Sequence, residues 1–202
     1  MPKNRLEAFS DGIFAFAATL LILNLAVNES VPLGGELRRI WTSYAAYAVS
    51  FITIGIIWAN HHTVMHQVGH VDRFFLMVSV LFLMLIAFIP FPTRLLAEDI
   101  GRPESAQAAA LAYGVTLTLT AVLFNVLWRY AATGRKLLRQ DADERVVQGI
   151  SRSFAVGPIT YVVATLLALW QPLISAGMYA AIAIFYVAES SIFGRGSDIT
   201  RR

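Results

Sequence analysis

The 202-residue sequence contains no cysteine, and only 14% of its residues are charged. Without cysteine the chain forms neither disulfides nor thiolate metal sites, and it has no cysteine nucleophile. Soluble domains carry about 25% charged residues, whereas this chain is 57% hydrophobic with a mean hydropathy of +0.61. A water-soluble globule is therefore excluded. Intrinsic disorder is excluded as well, because disorder requires low hydrophobicity and high net charge.

Several function classes lack their signatures in this sequence. The formal net charge of +3 is too small, and too interrupted by apolar sequence, to indicate nucleic-acid binding. No P-loop, nucleophile elbow or glycine-rich dinucleotide turn is present, so we expect neither an enzyme nor a bound cofactor. The Thr-Val-Gly-Tyr-Gly carbonyl filter of the usual potassium channels is also missing.

Long hydrophobic runs dominate the sequence. A membrane-spanning helix needs about 20 mostly apolar residues, and the runs are too continuously apolar for barrel strands, which alternate. They predict an all-α polytopic membrane protein with one six-helix transmembrane domain over 1–202. Glu7 and Asp11 stand where a cleaved signal peptide would be basic, so we expect the first run to be retained. The six helices are expected at about 6–27, 40–60, 74–96, 105–130, 154–170 and 174–193, followed by a flexible tail at 194–202.

The distribution of basic residues predicts the orientation, because cytoplasmic loops carry an excess of Lys and Arg. With six spans and both termini cytoplasmic, 12 basic residues lie inside and four outside. The four outside residues are Arg38, Arg39, Arg94 and Arg102. Five or seven spans would scatter the basic residues over both sides.

Two further features concern the connections and the internal organisation. The charged segment 131–153 is expected to form a cytoplasmic helical turn or a short amphipathic piece. Gly157-Pro158 is expected to kink the start of the fifth helix. The fourth run does not repeat the pattern of the first, so an inverted-repeat transporter design is not indicated.

The first run carries a stripe of large apolar residues. At about 3.6 residues per turn, Thr19 and Asn24 flank the stripe on its two sides, and Asp11 projects to the opposite side. This arrangement suits a helix whose apolar stripe meets copies of itself while polar contacts hold it from behind. The alternative is ordinary lipid-facing or core packing. The stripe consists of Phe16, Leu20, Leu23 and Val27.

Asp11 needs a partner, because an isolated carboxylate costs about 2.5–3.5 kcal/mol at the centre of a span. Ser10 is adjacent, and the second run ends in the pair His61 and His62. We expect one of these histidines to reach Asp11 or Ser10, which would explain both polar clusters together.

The histidines also raise the question of a metal site. His62, His66 and His70 would share one face if the helix continued, at a spacing that can bind zinc. No cysteine or convincing carboxylate completes such a site, so no metal is expected. Glu189 is the only acid deep in the sixth run. It either pairs with an interfacial basic residue or lines a proton or cation path.

Three sequence elements, in this order and spacing, resemble the signature of the lysosomal and bacterial potassium channels named for transmembrane protein 175. The resemblance covers the chain except for its tail. The elements are Arg5-x-x-x-Phe9-Ser10-Asp11, Trp58-x-x-His61-His62 and Phe91-Pro92-Thr93-Arg94-Leu95-Leu96.

This resemblance implies a homotetramer of six-helix subunits in the bacterial plasma membrane, with potassium passing through a central pore. The first helix of each subunit would line the pore, with constriction rings at Phe16, Leu20 and Leu23. Thr19 matches a position linked to potassium preference. The motif residues Arg5, Phe9, Ser10 and Asp11 would be structural, packing the pore helix against Trp58, His61 and His62.

One departure from the family pattern is Phe16, where relatives usually carry isoleucine or leucine. Four phenyl rings would either seal the pore more firmly or offer a weak cation–π contact. Two other functions stay open. One is a proton-coupled or small-molecule transporter that uses Asp11, Glu189 and the histidines as a relay. The other is a structural membrane module that assembles with a partner.

Overall fold

The chain folds into a bundle of helices. A computed structural model describes residues 3–25, 32, 34, 35, 37 and 40–194, with side chains described as far as residue 188. A 3₁₀ turn over Leu21–Asn24 extends the first helix, and another over Thr133–Arg135 follows the fifth. The helices are α1 (Lys3–Leu20), α2 (Trp41–Gln67), α3 (Arg73–Phe88), α4 (Pro90–Asp99), α5 (Ala106–Ala132), α6 (Glu144–Leu167) and α7 (Pro172–Gly194).

The helices confirm the prediction of an all-α membrane protein. Five segments of the described chain are long and apolar enough to cross a membrane, and α3 and α4 together form one of them. The part of α7 over Pro172–Ala188 is a shorter apolar helix. The described residues contain one isolated antiparallel β-bridge, between Val68 and Leu138.

Two helices are longer than the sequence predicted. Helix α2 continues past the predicted end at 60 to Gln67, and α6 begins at Glu144 rather than at 154. The Asp143 side chain caps α6 by accepting a hydrogen bond from the backbone N–H of Arg145 at 2.8 Å. Polar residues therefore form the first turns of α6, and Pro158 lies well inside the helix instead of at its start. Val27, Arg38, Arg39, the tail at 195–202 and the Glu189 side chain lie outside what the structure describes.

The third span is interrupted at a proline. Asp72 caps α3 by accepting the backbone N–H of Phe75 at 2.9 Å, and α3 ends at Phe88 because Pro90 has no N–H to continue the ladder. Ile89 keeps helical dihedral angles (φ −49°, ψ −41°), so α4 follows directly. The Asn24 side chain donates to the Pro90 carbonyl at 3.2 Å. This bond ties the end of the first segment to the break in the third.

Helix α5 lies at the centre of the bundle, against α3, α4, α6 and α7, while α1 packs on α2 and α3. Gly114 allows α5 to approach its neighbours closely. A Cβ at this position would lie 2.1 Å from the Tyr179 hydroxyl oxygen and 2.5 Å from Thr165 Oγ1. A larger side chain at 114 therefore requires these packed groups to shift.

Candidate functional site

Helix α1 has one face inside the bundle and one face outside it. The outer face carries Phe16, which is 59% exposed, and Leu23, which is 72% exposed, with Thr19 between them. Leu20 is half-buried at the edge of this face. The structure thus places Phe16 and Leu23 of the predicted stripe, with the flanking Thr19 between them, on a surface that none of the described residues covers. The inner face consists of Leu6, Ser10, Phe14, Ala17 and Leu21.

The Thr19 hydroxyl bonds within its own helix. It donates to the Phe16 carbonyl oxygen at 2.9 Å. A hydroxyl oxygen that donates its proton in this way keeps acceptor lone pairs. Thr19 therefore presents an oxygen acceptor on the otherwise apolar outer face of α1.

The Asp11 carboxylate binds α2 through an indole. Trp58 Nε1 donates to Asp11 Oδ1 at 2.9 Å. The expected contact with a histidine is absent from the described residues, since no hydrogen bond or ion pair joins His61 or His62 to Asp11 or Ser10. The Ser10 hydroxyl instead donates to the Leu6 carbonyl one turn back, at 2.8 Å. A hydroxyl on the inner face of a helix satisfies its proton most simply in this way.

The two adjacent histidines lie in different environments. His61 is 3% exposed, and its ring stacks on Phe82 at a centroid distance of 5.8 Å and contacts Phe14 at 5.5 Å. His62 is exposed, with its ring 6.3 Å from the Trp58 ring. His61 is therefore a packing element of the core between α1, α2 and α3.

His62, His66 and His70 do not lie along one helix face. Helix α2 ends at Gln67, so His70 does not continue the face of His62 and His66. Within the described part of the chain, no group of three His, Cys, Asp or Glu side chains is placed to hold a metal ion.

The remaining residues of the first motif lie at the surface. Arg5 and Phe9 are both exposed, Phe9 by 52%. In the first turns of α1, Lys3 Nζ lies 3.5 Å from Glu7 Oε1. Phe9 is seven residues before Phe16 and so shares its side of the helix.

The third motif contributes a buried hydroxyl network that sequence analysis missed. Thr93 and Ser50 are hydrogen-bonded through their hydroxyls at 2.9 Å, and Ser50 also bonds the Tyr113 hydroxyl at 3.0 Å. Thr93 in turn donates to the Ile89 carbonyl at 2.8 Å, just before the proline break. The signal was a threonine inside an apolar, proline-rich element. Ser50, however, is 43 residues from Thr93 and 63 residues from Tyr113 along the chain.

A bundle of long apolar helices, with an uncovered apolar face on its first helix, defines a multi-pass helical membrane protein. Comparison with known families assigns it further. The family described as endosomal/lysosomal potassium channel TMEM175 matches residues 5–90. The chain belongs to this TMEM175 family, which confirms the resemblance seen in the sequence. The family is one of ion channels, and no enzymatic activity is indicated.

Bacterial relatives match the chain over nearly its full length. A protein of Chamaesiphon minutus named as a potassium channel is 40% identical over 192 residues, covering 93% of this chain and 94% of the relative. A second potassium channel, from Streptomyces collinus, is 36% identical and covers 91% of both chains. The crystal structure of a lysosomal potassium-selective channel TMEM175 homolog from Chamaesiphon minutus superposes with a TM-score of 0.84 at 37% identity, covering 93% of this chain and 97% of that one.

A vertebrate relative is longer than this chain. The chicken protein named endosomal/lysosomal proton channel TMEM175 is 31% identical over 144 residues, which cover 65% of this chain and 28% of the relative.

Proposed function

We propose that this chain is the subunit of a passive potassium-selective channel in a bacterial plasma membrane. The observation that carries the proposal is the outer face of α1, where Phe16 and Leu23 are exposed with Thr19 between them. Two relatives that match almost the whole chain are named potassium channels, which supports the same function.

One α1 helix cannot enclose a pore, so the proposal requires several copies around an axis. In a homotetramer, four α1 helices would turn their outer faces toward that axis. Phe16, Leu20 and Leu23 would then form successive apolar rings. A narrow apolar ring excludes ions by dewetting, because an ion there loses hydration and gains no ligand.

Selectivity would arise where the rings widen enough for a partly hydrated ion. Sodium holds its hydration shell more tightly than potassium, so the apolar rings disfavour sodium. The Thr19 hydroxyl oxygens offer acceptors between the rings and lower the barrier for potassium. The faces of four Phe16 rings add a weak cation–π attraction. No metal or other cofactor is required, since potassium is the permeant ion.

In the bilayer, both termini would be cytoplasmic across six spans. This orientation places the α2–α3 turn and the segment between α5 and α6 on the cytoplasmic side. These two connections are joined there by backbone hydrogen bonds, from Gly69 N to Leu137 O at 2.8 Å and from Arg139 N to Gln67 O at 2.9 Å. The basic residues Arg135, Lys136 and Arg139 lie at that end, as the positive-inside rule requires.

Planar-bilayer recordings of the purified protein under opposed potassium and sodium gradients test this function. We expect a current whose reversal potential is displaced from zero toward the potassium equilibrium potential. A reversal potential of zero would contradict selectivity, and a silent bilayer would contradict conduction. Subunit counting in detergent tests the assembly: four copies are expected, and a monomer would count heavily against a shared pore.

The alternative of a proton relay through Asp11, Glu189 and the histidines is weakened by the surroundings of Asp11 and His61. Asp11 accepts from an indole N–H, a donor-only group that does not ionise near neutral pH, and His61 is packed between two phenyl rings. Because the vertebrate relative is named a proton channel, the same recordings are repeated with a pH gradient alone. A current that follows the proton gradient, or a flux that saturates with substrate, would favour the alternative.

A further inference from the structure

A crevice of about 570 Å³ lies between α2, α5, α6 and α7, away from the outer face of α1. Its walls are mostly apolar and aromatic, with Phe51 on α2, Phe124 on α5 and Phe154 on α6. Gly55 and Gly157 contribute no side chains to fill it. Ligand sites in proteins occupy about 300–1,000 Å³ and combine apolar walls with a few polar groups. All four helices are apolar helices of the bundle, so the crevice lies within the membrane.

The crevice is maintained by an exchange of hydrogen-bond partners in α6. Pro158 has no N–H, which leaves the carbonyl of Phe154, four residues earlier, without its helical donor. Asn125 on α5 supplies the missing donor, because its Nδ2 bonds the Phe154 carbonyl oxygen. Within a bilayer such a substitute is needed, since no water is available to satisfy the carbonyl. The wall of the crevice is therefore a fixed part of the fold.

One end of the crevice is polar. Asn60 lines it, is half-buried, and has no hydrogen-bond partner among the described residues. An amide that faces hydrocarbon without a partner costs about 1–3 kcal/mol. An occupant that carries a hydrogen-bonding group next to an apolar chain would remove this cost.

The same end of the crevice is basic. Arg129 reaches it directly, because its Nε donates to Asn125 Oδ1 at 3.0 Å. Arg152 is exposed and immediately precedes Ser153, which lines the crevice. Basic pockets between transmembrane helices on the cytoplasmic side bind anionic head groups. The basic side chains of Arg129 and Arg152 and the amide of Asn60 thus favour the same kind of ligand, an apolar chain with a polar, anionic headgroup.

We propose that the crevice binds one acyl chain of an anionic phospholipid. The chain lies between Phe51 on α2 and the contacting rings of Phe124 and Phe154 on α5 and α6. The ester region hydrogen-bonds to Asn60, and the headgroup lies against Arg129 and Arg152. This site is independent of the pore face, and it makes the lipid part of the packing of α6 and α7.

Native mass spectrometry of the purified full-length protein tests the proposal, with phosphatidylglycerol and phosphatidylcholine of identical chains as probes. Gly55 lines the crevice, and a Cβ there meets no atom within 4 Å, so Gly55→Leu places its side chain in the space that the acyl chain would occupy. We expect Gly55→Leu to bind phosphatidylglycerol about tenfold more weakly than the unmodified protein. Gly177→Leu is the matched control, because Gly177 is also an open, exposed helix position but does not line the crevice. It should bind as the unmodified protein does.

A charge variant tests the headgroup. We expect Arg129→Gln to lose the preference for phosphatidylglycerol while phosphatidylcholine binding stays the same, and Arg94→Gln, at the other end of the bundle, to change neither. Equal binding of the two lipids by the unmodified protein would overturn the headgroup assignment, and full binding by Gly55→Leu would overturn the site.

A further outcome concerns a different occupant. If Gly55→Leu keeps its thermal midpoint but separates into smaller oligomers, the crevice holds a neighbouring subunit and the lipid proposal is wrong. Lipid binding is measured without an ion gradient, so its failure leaves the conduction proposal intact, and a silent bilayer leaves the lipid proposal intact.

Discussion

The indole of Trp58 donates to the carboxylate of Asp11 across 2.9 Å, and this bond joins α1 to α2. Two of the three family elements thereby meet in a single contact. The bond lies on the opposite side of α1 from the stripe that contains Phe16, so it supports the helix from behind. A carboxylate in a membrane protein is tolerated here because it has a fixed donor.

Trp58→Phe removes this donor and keeps the aromatic ring. We expect the variant to lose about 0.5–1.5 kcal/mol of stability, because it loses one hydrogen bond between side chains that are exposed in the single chain. The thermal midpoint in detergent measures the loss. Trp41→Phe is the matched control, since Trp41 is 64% exposed.

A double-mutant cycle with Asp11→Asn separates the bond from other effects of the substitutions. A coupling energy of about 0.5–3 kcal/mol is expected for residues in direct contact. Strict additivity of the two single variants would show that the contact contributes nothing.

Phe16→Ala and Leu23→Ala test the outer face of α1. Truncation of either side chain widens an apolar ring and lowers the dewetting barrier, so we expect larger single-channel current or a reversal potential shifted toward zero. Planar-bilayer recordings measure both quantities.

Two exposed apolar residues on α7 serve as controls of matched size. Phe185 is 63% exposed, against 59% for Phe16, and Ile184 is 67% exposed, against 72% for Leu23. Alanine at these positions should leave permeation as it is. If the α1 variants also leave permeation unchanged, the pore is lined by another helix.

Asn125→Leu removes the donor that replaces the missing N–H of Pro158. We expect a loss of about 1–3 kcal/mol, because the Phe154 carbonyl is then unsatisfied in a region without water. The thermal midpoint measures it. Adding Pro158→Ala should restore most of the loss, since the alanine N–H can bond the Phe154 carbonyl within the helix. No rescue by the second substitution would refute the exchange of partners in α6.

Asp72 predicts a dependence of stability on pH. The hydrogen bond from the Tyr130 hydroxyl at 2.6 Å, followed by the one from the Phe75 backbone, holds the pKa of Asp72 below its usual value. A lowered folded-state pKa stabilises the protein above the unfolded pKa, and this contribution disappears as the pH falls through the folded value.

The matching variant is Asp72→Asn. The difference in thermal midpoint between the unmodified protein and Asp72→Asn should be greatest near neutral pH. It should shrink as the pH falls below about 4. Asp141 is more exposed than Asp72, so Asp141→Asn should produce a smaller difference at every pH. A difference that does not change with pH would show that ionised Asp72 adds no stability.

The motif contacts show where sequence reasoning stops. The direction of Phe16, Leu20 and Leu23, with Thr19 beside them, follows from helical periodicity, because these residues lie on α1 and the 3₁₀ turn that extends it. The partner of Asp11 does not follow, since Trp58 and His61 both lie on α2 and only the rotation of α2 against α1 selects between them. Packing turned His61 toward Phe82 and Trp58 toward Asp11.

The sequence by itself determined the membrane class, the family and the apolar stripe, because these depend on composition, on short motifs and on the period of one helix. Only the tertiary structure decided the hydroxyl network of Ser50, Thr93 and Tyr113, the donation from Asn125 to Phe154 and the crevice beside it. Each of these brings together groups from different helices. Their distances are set by how the helices approach one another, and glycines such as Gly114 control that approach.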